Sequence, residues 1–262
     1  MTDGRVPPDA QQQCHDCLAV ITGAGSGIGR STADLFLRSG WAVIAIDKNE
    51  TALADLRQHV DAALRPYLHT QPLDVSNAED VQAWGLQLRT QTSAVHALIN
   101  GAAVGLFARR MEDISVTEWE QVLATNLTGP FLMTQAVVPC MKRIGGHIIN
   151  LSSVHAIATS FGMAAYASAK AGLIGLTRAT ALDYRADGIK ANCLVIGSVD
   201  TPMSTAHRSA LMAAGAPDLD IDPRLVAQPG EIAEFIRFLC SSAASFVNGA
   251  VLAVDGGLLA EL

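Results

Sequence analysis

Leu18-Ala19-Val20-Ile21-Thr22-Gly23-Ala24-Gly25-Ser26-Gly27-Ile28-Gly29 joins a short apolar run to a glycine-rich turn. An unbroken apolar run of this length suits a strand buried on both faces. The glycines permit a tight turn and a close backbone approach. The helix that starts here would present free N–H groups to an anion such as a pyrophosphate. Outward from this stretch, Ala42-Val43-Ile44-Ala45-Ile46 reads as a second strand ending at Asp47, and a third lies within Pro66 to Leu73, closed by Asp74. Further strands are expected at Val95 to Ile99, Gly146 to Leu151, Ile189 to Ile196 and Ala250 to Val254. Helices are expected from the glycine turn to about Gly40, Glu50 to Leu64, from Ala78 onward, Val116 to Cys140 and Ala164 to Ala186. Alternating strands and helices, with several strands apolar throughout, imply an α/β fold: a doubly wound parallel sheet in a three-layer α/β/α single domain. Ligands of such sheets bind beyond the carboxyl ends of the strands. Met203 to Gln228, with Pro217 and Pro223, reads as irregular: a mobile substrate lid or a passive surface connection.

The 262 residues are 50% apolar but only 5% aromatic, so the core should be built of Ala, Val, Leu and Ile. A net charge of −7 without a block of like charge argues against a nucleic-acid-binding surface. No apolar run is long enough to suggest a membrane span. Met1 to Gln13 is polar, contains Pro7-Pro8 and lacks the apolar core of a signal peptide, so a cytoplasmic protein is expected. The five cysteines are an odd number and suit a reducing compartment. Cys14-His15-Asp16-Cys17 looks like half of a metal site, but no second pair exists, and no metal is expected.

Tyr166 and Lys170 stand four apart in Tyr166-Ala167-Ser168-Ala169-Lys170, and Ser153 lies thirteen positions upstream. On a helix such a pair shares one face, so the Lys170 ammonium can lie beside the Tyr166 phenol. A phenol with a pKa of about 10 is a poor base at neutral pH. A neighbouring cation favours the phenolate and moves it towards working range. Ser153 can then hydrogen-bond a substrate oxygen while Tyr166 exchanges its proton.

With these motifs in this order, the chain resembles the short-chain dehydrogenase/reductase family in its single-domain form, from about Cys17 to Gly257. The glycine stretch matches the family's T-G-x-x-x-G-x-G, and Tyr166 and Lys170 match its Y-x-x-x-K. Asn126, in Asn126-Leu127-Thr128-Gly129, matches its catalytic asparagine. The resemblance implies a Rossmann-type NAD(P)-binding catalytic domain over residues 17–262 behind a polar extension, 1–16. It implies that Gly23, Ser26, Gly27, Ile28 and Gly29 meet the cofactor. Asp74 and Val75 would meet its adenine, Val199 and Thr201 its carboxamide, and Lys170 its ribose. Asn126 would hold a water that links Lys170 to solvent. An acidic residue ending the second strand accepts hydrogen bonds from ribose hydroxyls and repels a 2′-phosphate, so Asp47 points to NAD; Lys48 is the contrary sign. Asn100-Gly101-Ala102-Ala103 departs from the family's Asn-Asn-Ala-Gly: Asn100 is retained as a cofactor residue, but Gly101 lacks the second amide, and local loosening is expected. Ile196-Gly197 stands where Pro-Gly is usual.

Ser152 competes with Ser153 for the serine role, and family spacing favours Ser153. His155, two residues further on, reads either as a substrate ligand or as a packing residue. Met163 and Met203 are the other candidate substrate contacts, and Phe161 and Met163 could form an apolar wall. The expected activity is NAD-dependent interconversion of a secondary alcohol and a ketone, with Tyr166 as acid/base. An NADPH-dependent carbonyl or acyl-chain reductase and a non-catalytic dinucleotide sensor are the alternatives. The family commonly pairs the helices here at Val116 to Cys140 and Ala164 to Ala186 with symmetry mates, so a homotetramer is expected.

Overall fold

The computed structural model describes residues 15–92, 94–215 and 222–261. The Cys14 end of the half metal motif lies outside these. The apolar run ahead of the glycine turn forms β1 (Cys17–Thr22), and the turn opens α1 (Gly27–Arg38). The chain continues through β2 (Trp41–Asp47), α2 (Glu50–His59), β3 (Leu68–Pro72), α3 (Ala78–Gln91) and β4 (Ala97–Asn100). Then come α4 (Val116–Leu123), α5 (Gly129–Val137), β5 (Gly146–Ser153), α6 (Ala164–Asp183) and β6 (Ile189–Ile196). A short strand β7 (Ser198–Val199), α7 (Pro202–Ala213), β8 (Val226–Ala227), α8 (Pro229–Leu239) and β9 (Val251–Val254) complete the described elements.

Seven strands form one parallel sheet in the order β3-β2-β1-β4-β5-β6-β9, and β7 pairs with β8 apart from it. Successive strand residues face opposite sides. Ile21, Ile99 and Leu194 therefore pack with Phe36 and Leu37 of α1 and Ile232, Ile236 and Leu239 of α8. Val20, Leu98 and Ile148 face the other way, onto Trp84 and Leu88 of α3 and Met133 and Val137 of α5. Each large side chain buried this way contributes roughly 1.5–3 kcal/mol, so both layers hold the strand ends firmly.

Three differences from the sequence reading affect the site. The expected helix Val116 to Cys140 is interrupted by one π-helical turn, Ala124–Thr128, which contains Asn126; such turns recur at functional sites. The first part of the stretch from Met203 is helical rather than irregular, as far as Ala213. Thr201 caps it, exchanging hydrogen bonds with Ser204, Pro202 occupies the first turn, and α7 runs on to Ala213. The central part of that stretch, 216–221, lies outside the described residues. Finally, α8 had no counterpart in the sequence reading. Its signal is legible in retrospect: Pro229, Glu231 closing a capping box with Gln228, then buried Ile232, Ala233, Ile236 and Leu239. Among the described residues no helix is long and apolar enough to cross a membrane.

Candidate active site

Strand order reverses between β1 and β4, and a cleft of about 460 Å³ opens there at the carboxyl ends of the strands. Gly23, Gly27 and Gly29 line its floor. Gly23 has a φ of 71°, and a Cβ there would stand 2.8 Å from the Ala102 backbone; a Cβ on Gly29 would run into the Gly23 carbonyl. Ser26 is the N-cap of α1 but makes no side-chain cap bond, so the first N–H groups of α1 are left to an anion in the cleft. A nucleotide pyrophosphate fits this cradle.

Asp47 closes one end. Its Oδ2 accepts from Gly25 N at 3.0 Å and its Oδ1 from Asn49 N at 2.9 Å, so the carboxylate ties the glycine turn to β2. Each oxygen retains a second lone pair for a ribose hydroxyl. Lys48 and Asp74 line the same end. Partial burial works against the Asp74 charge, but hydrogen bonds from the Ser76 hydroxyl and amide hold its carboxyl below the ordinary range, with Lys48 assisting. Val75 lies beside Asp74 in the lining.

Asn100 is placed differently from expectation. It is buried, donates to Asn150 Oδ1 at 2.8 Å, and is not part of the cleft lining. Asn150 in turn donates to Thr177, tying β4, β5 and α6 together. The loosening expected at Gly101 is countered by Thr22, whose hydroxyl accepts from both Gly101 N and Ala102 N, at 3.0 and 3.2 Å. Gly197 lines the cleft and also backs onto Asp255, where a Cβ would stand 2.7 Å from Cα, so the close approach there requires glycine.

At the other end, Ser153 closes β5, and Tyr166 and Lys170 project from α6 into the same cleft. Ser152 donates instead to the Lys170 carbonyl at 2.7 Å. The Lys170 ammonium donates to Leu151 O at 2.7 Å and lies 5.6 Å from the Tyr166 ring centre. Burial pushes the Tyr166 phenol up to about 12, although the Ser153 hydroxyl works the other way. Burial likewise brings Lys170 down to about 8. In this geometry burial, rather than the neighbouring lysine, governs the phenol. Asn126 is wholly buried, and its amide is spent on Val104: Oδ1 accepts from Val104 N and Nδ2 donates to Val104 O, both at 2.8 Å.

His155, Met163, Met203, Val199 and Thr201 all line the cleft. Phe161 does not; it is half exposed, with the Arg110 guanidinium over its ring. Phe107 and His207 are among the lining residues that sequence reasoning missed. Phe107 covers Gly105 so closely that any side chain at 105 would collide with its ring, which lies 6.0 Å from that of Tyr166. His207 of α7 stands 4.6 Å from Phe107, centre to centre. Neither had a local motif; only the placement of the β4–α4 segment and α7 over the cleft brings them in.

A dinucleotide cradle and a Ser-Tyr-Lys cluster in one cleft define an oxidoreductase that acts on CH–OH groups with a nicotinamide cofactor. A family model described as enoyl-(acyl carrier protein) reductase matches residues 23–259. The cis-4-hydroxycyclohexanecarboxylate dehydrogenase of Sinomonas cyclohexanicum is 36% identical over 248 residues, 93% of this chain and 96% of that protein. An uncharacterised short-chain type dehydrogenase/reductase of Sinorhizobium fredii is 32% identical over 92% of this chain, which spans only 43% of that longer relative. Among solved structures, levodione reductase superposes with a TM-score of 0.86 at 30% identity, covering 94% of this chain and 99% of that one. A 3-ketoacyl-(acyl-carrier-protein) reductase from Brucella melitensis, complexed with NADH, gives 0.81 at 25% identity, covering 93% and 98%. The chain belongs to the short-chain dehydrogenase/reductase family.

Proposed function

We propose that this protein is an NAD-dependent dehydrogenase that interconverts an alicyclic secondary alcohol and its ketone. The observation that carries the reading is the convergence of Ser153, Tyr166 and Lys170 at the opposite end of the cleft from Asp47. Gly23, Ser26, Gly27, Ile28 and Gly29 hold the cofactor's phosphates, Asp47 its adenosine ribose, and Asp74 with Val75 its adenine. Val199 and Thr201 bound the nicotinamide end. When bound, the nicotinamide accepts or supplies the hydride, and its oxidised, positive ring favours the phenolate. Ser153 orients the substrate oxygen. Tyr166, protonated at neutral pH, is the donor that ketone reduction requires; in oxidation it takes the hydroxyl proton. Lys170 supplies the positive charge beside it. Asn126 fixes the loop at Val104 through both of its amide atoms, and the N–H and lone pair that remain would hold the relay water together with main-chain groups of the turn.

Relatives named for a hydroxycyclohexanecarboxylate and for levodione support a ring substrate, while the acyl-carrier-protein reductases among the matches support an acyl chain. The second reading, an NADPH-dependent acyl-chain reductase, draws on exposed Lys48 at the ribose end. NADH formation across alicyclic alcohols, set against NADPH consumption with 3-oxoacyl thioesters, tests the choice. Turnover of only the thioesters would overturn it.

A homotetramer is part of this proposal. Ser168, Ala171, Gly175 and Ala179 form an exposed stripe of small residues along α6, and Leu182 and, on α5, Phe131 are exposed apolar residues. Ala169 and Gly172 instead pack inward, Gly172 against Leu127.

A further inference from the structure

His155 and His207 reach the substrate end from different elements: the single turn after β5, Val154–Ala156, and the middle of α7. Their ring centres are 5.9 Å apart, and the His155 ring stands edge-on to Tyr166 at 6.1 Å. Phe107 stands beside both Tyr166 and His207. The Nε2 atom of His207 is buried and has no hydrogen-bond partner among the described residues. Burying such a nitrogen unpartnered is unfavourable, so it calls for an explanation. Three other buried side-chain atoms share this condition, on Asn100, Thr134 and His147, but none of those residues lines the cleft. His207 therefore lines the site with a ring nitrogen that the described protein groups leave unbonded.

The charge around it narrows what it can meet. Among the described residues, the charged ones lining the cleft are Asp47, Lys48, Asp74 and Lys170. The first three stand at the ribose end, and the Lys170 ammonium is committed to Leu151 O. Burial brings His155 down to about 4, with His207 adding to the effect, and burial also lowers His207. Both rings are then neutral at physiological pH. Among the described residues no fixed cation of the protein stands free beside them, so desolvating a carboxylate between them is costly. A neutral imidazole nitrogen, as donor or acceptor according to tautomer, suits a hydroxyl, which can do either.

We propose that His155 and His207 form a second polar anchor that recognises an uncharged oxygen on a substrate carbon other than the reacting one. The substrate class is then a cyclic diol or hydroxyketone. This rests on the dehydrogenase reading above and makes it more specific.

The test compares cyclohexanol, cyclohexane-1,2-diol, cyclohexane-1,4-diol and 4-hydroxycyclohexanecarboxylate in the wild type, His155→Leu, His207→Leu and His207→Gln. The better diol should exceed cyclohexanol in kcat/KM by about tenfold or more, the scale of one well-made hydrogen bond. That ratio should collapse towards one in both leucine variants and be partly retained in His207→Gln. Equal use of cyclohexanol and both diols by the wild type, an unchanged ratio in His207→Leu, or a preference for the carboxylate would each overturn the anchor. Binding of the diols to the enzyme–NADH complex, read from imidazole proton resonances assigned with the variants, needs no turnover. Shifted His207 resonances without any alcohol oxidation would leave the anchor standing and defeat the dehydrogenase reading. With no turnover of any alcohol, resonances that no diol moves would defeat both.

Discussion

The Lys170 ammonium is bonded to the Leu151 carbonyl at 2.7 Å, although the Tyr166 ring centre lies 5.6 Å away. Burial meanwhile raises the phenol to about 12 and lowers the ammonium to about 8. The pair is thus set with the proton on tyrosine. Reduction should be flat below about pH 8, whereas oxidation, which needs phenolate, should climb with pH as that proton becomes removable. Tyr166→Phe should lower turnover in both directions by at least about two orders of magnitude while retaining NADH binding. Steady-state pH profiles and NADH fluorescence titration check both expectations.

Asp47 has two tasks, since it accepts from Gly25 N and would also meet a ribose. The wild type should prefer NAD(H) to NADP(H) in kcat/KM. Asp47→Ala should narrow that gap and also weaken binding of both cofactors, because the glycine turn loses its tie. A native preference for NADP(H) would mean that Lys48 outweighs Asp47.

Asn126→Ala removes two hydrogen bonds to Val104 and leaves its part-buried N–H and C=O without their side-chain partner. A loss of about 2 kcal/mol or more in stability is expected, with faster amide exchange across 104–109. Denaturant unfolding and hydrogen exchange measure the two effects. Unchanged protection over that segment would count against the positioning role.

His147 in β5 is held down to about 4, chiefly by burial and then by Lys190, from an ordinary value of 6.5. Between these values the unfolded chain binds more protons than the folded one. Stability therefore rises with pH across this window and is lost as pH falls from 6.5 towards 4, by up to about 3 kcal/mol from this residue. His147→Gln should lose less stability than the wild type between about pH 7 and about pH 4.5, as followed by urea unfolding.

Beyond the backbone of its own helix, nothing lies within 4 Å of where a Cβ on Gly175 would stand, and the residue sits in the exposed small-residue stripe of α6. Gly175→Arg should split a tetramer into smaller species without unfolding the subunit. Light scattering of both proteins tests this, and a wild-type mass near the 27.5 kDa of one chain would defeat the tetramer.

The alternation of apolar runs with helical segments determined the doubly wound sheet, because a strand buried on both faces leaves its mark in consecutive residues. The glycine turn, Asp47, Ser153, Tyr166 and Lys170 were legible for a similar reason: their chemistry depends on local spacing or on a strand's end. The sequence could not say where the Lys170 ammonium points, nor that burial would outweigh it at Tyr166, since desolvation is summed over residues distant in the chain. It likewise left Asn100 in the cleft, whereas its β4–β5 pairing with Asn150 turns it into the core. Phe107 and His207 entered the site only through tertiary packing: a ring laid over Gly105 and a helix capped by Thr201 carry them to Tyr166 and His155. Local spacing therefore determined the candidate reacting groups, and long-range packing decided the walls of the cleft that holds them.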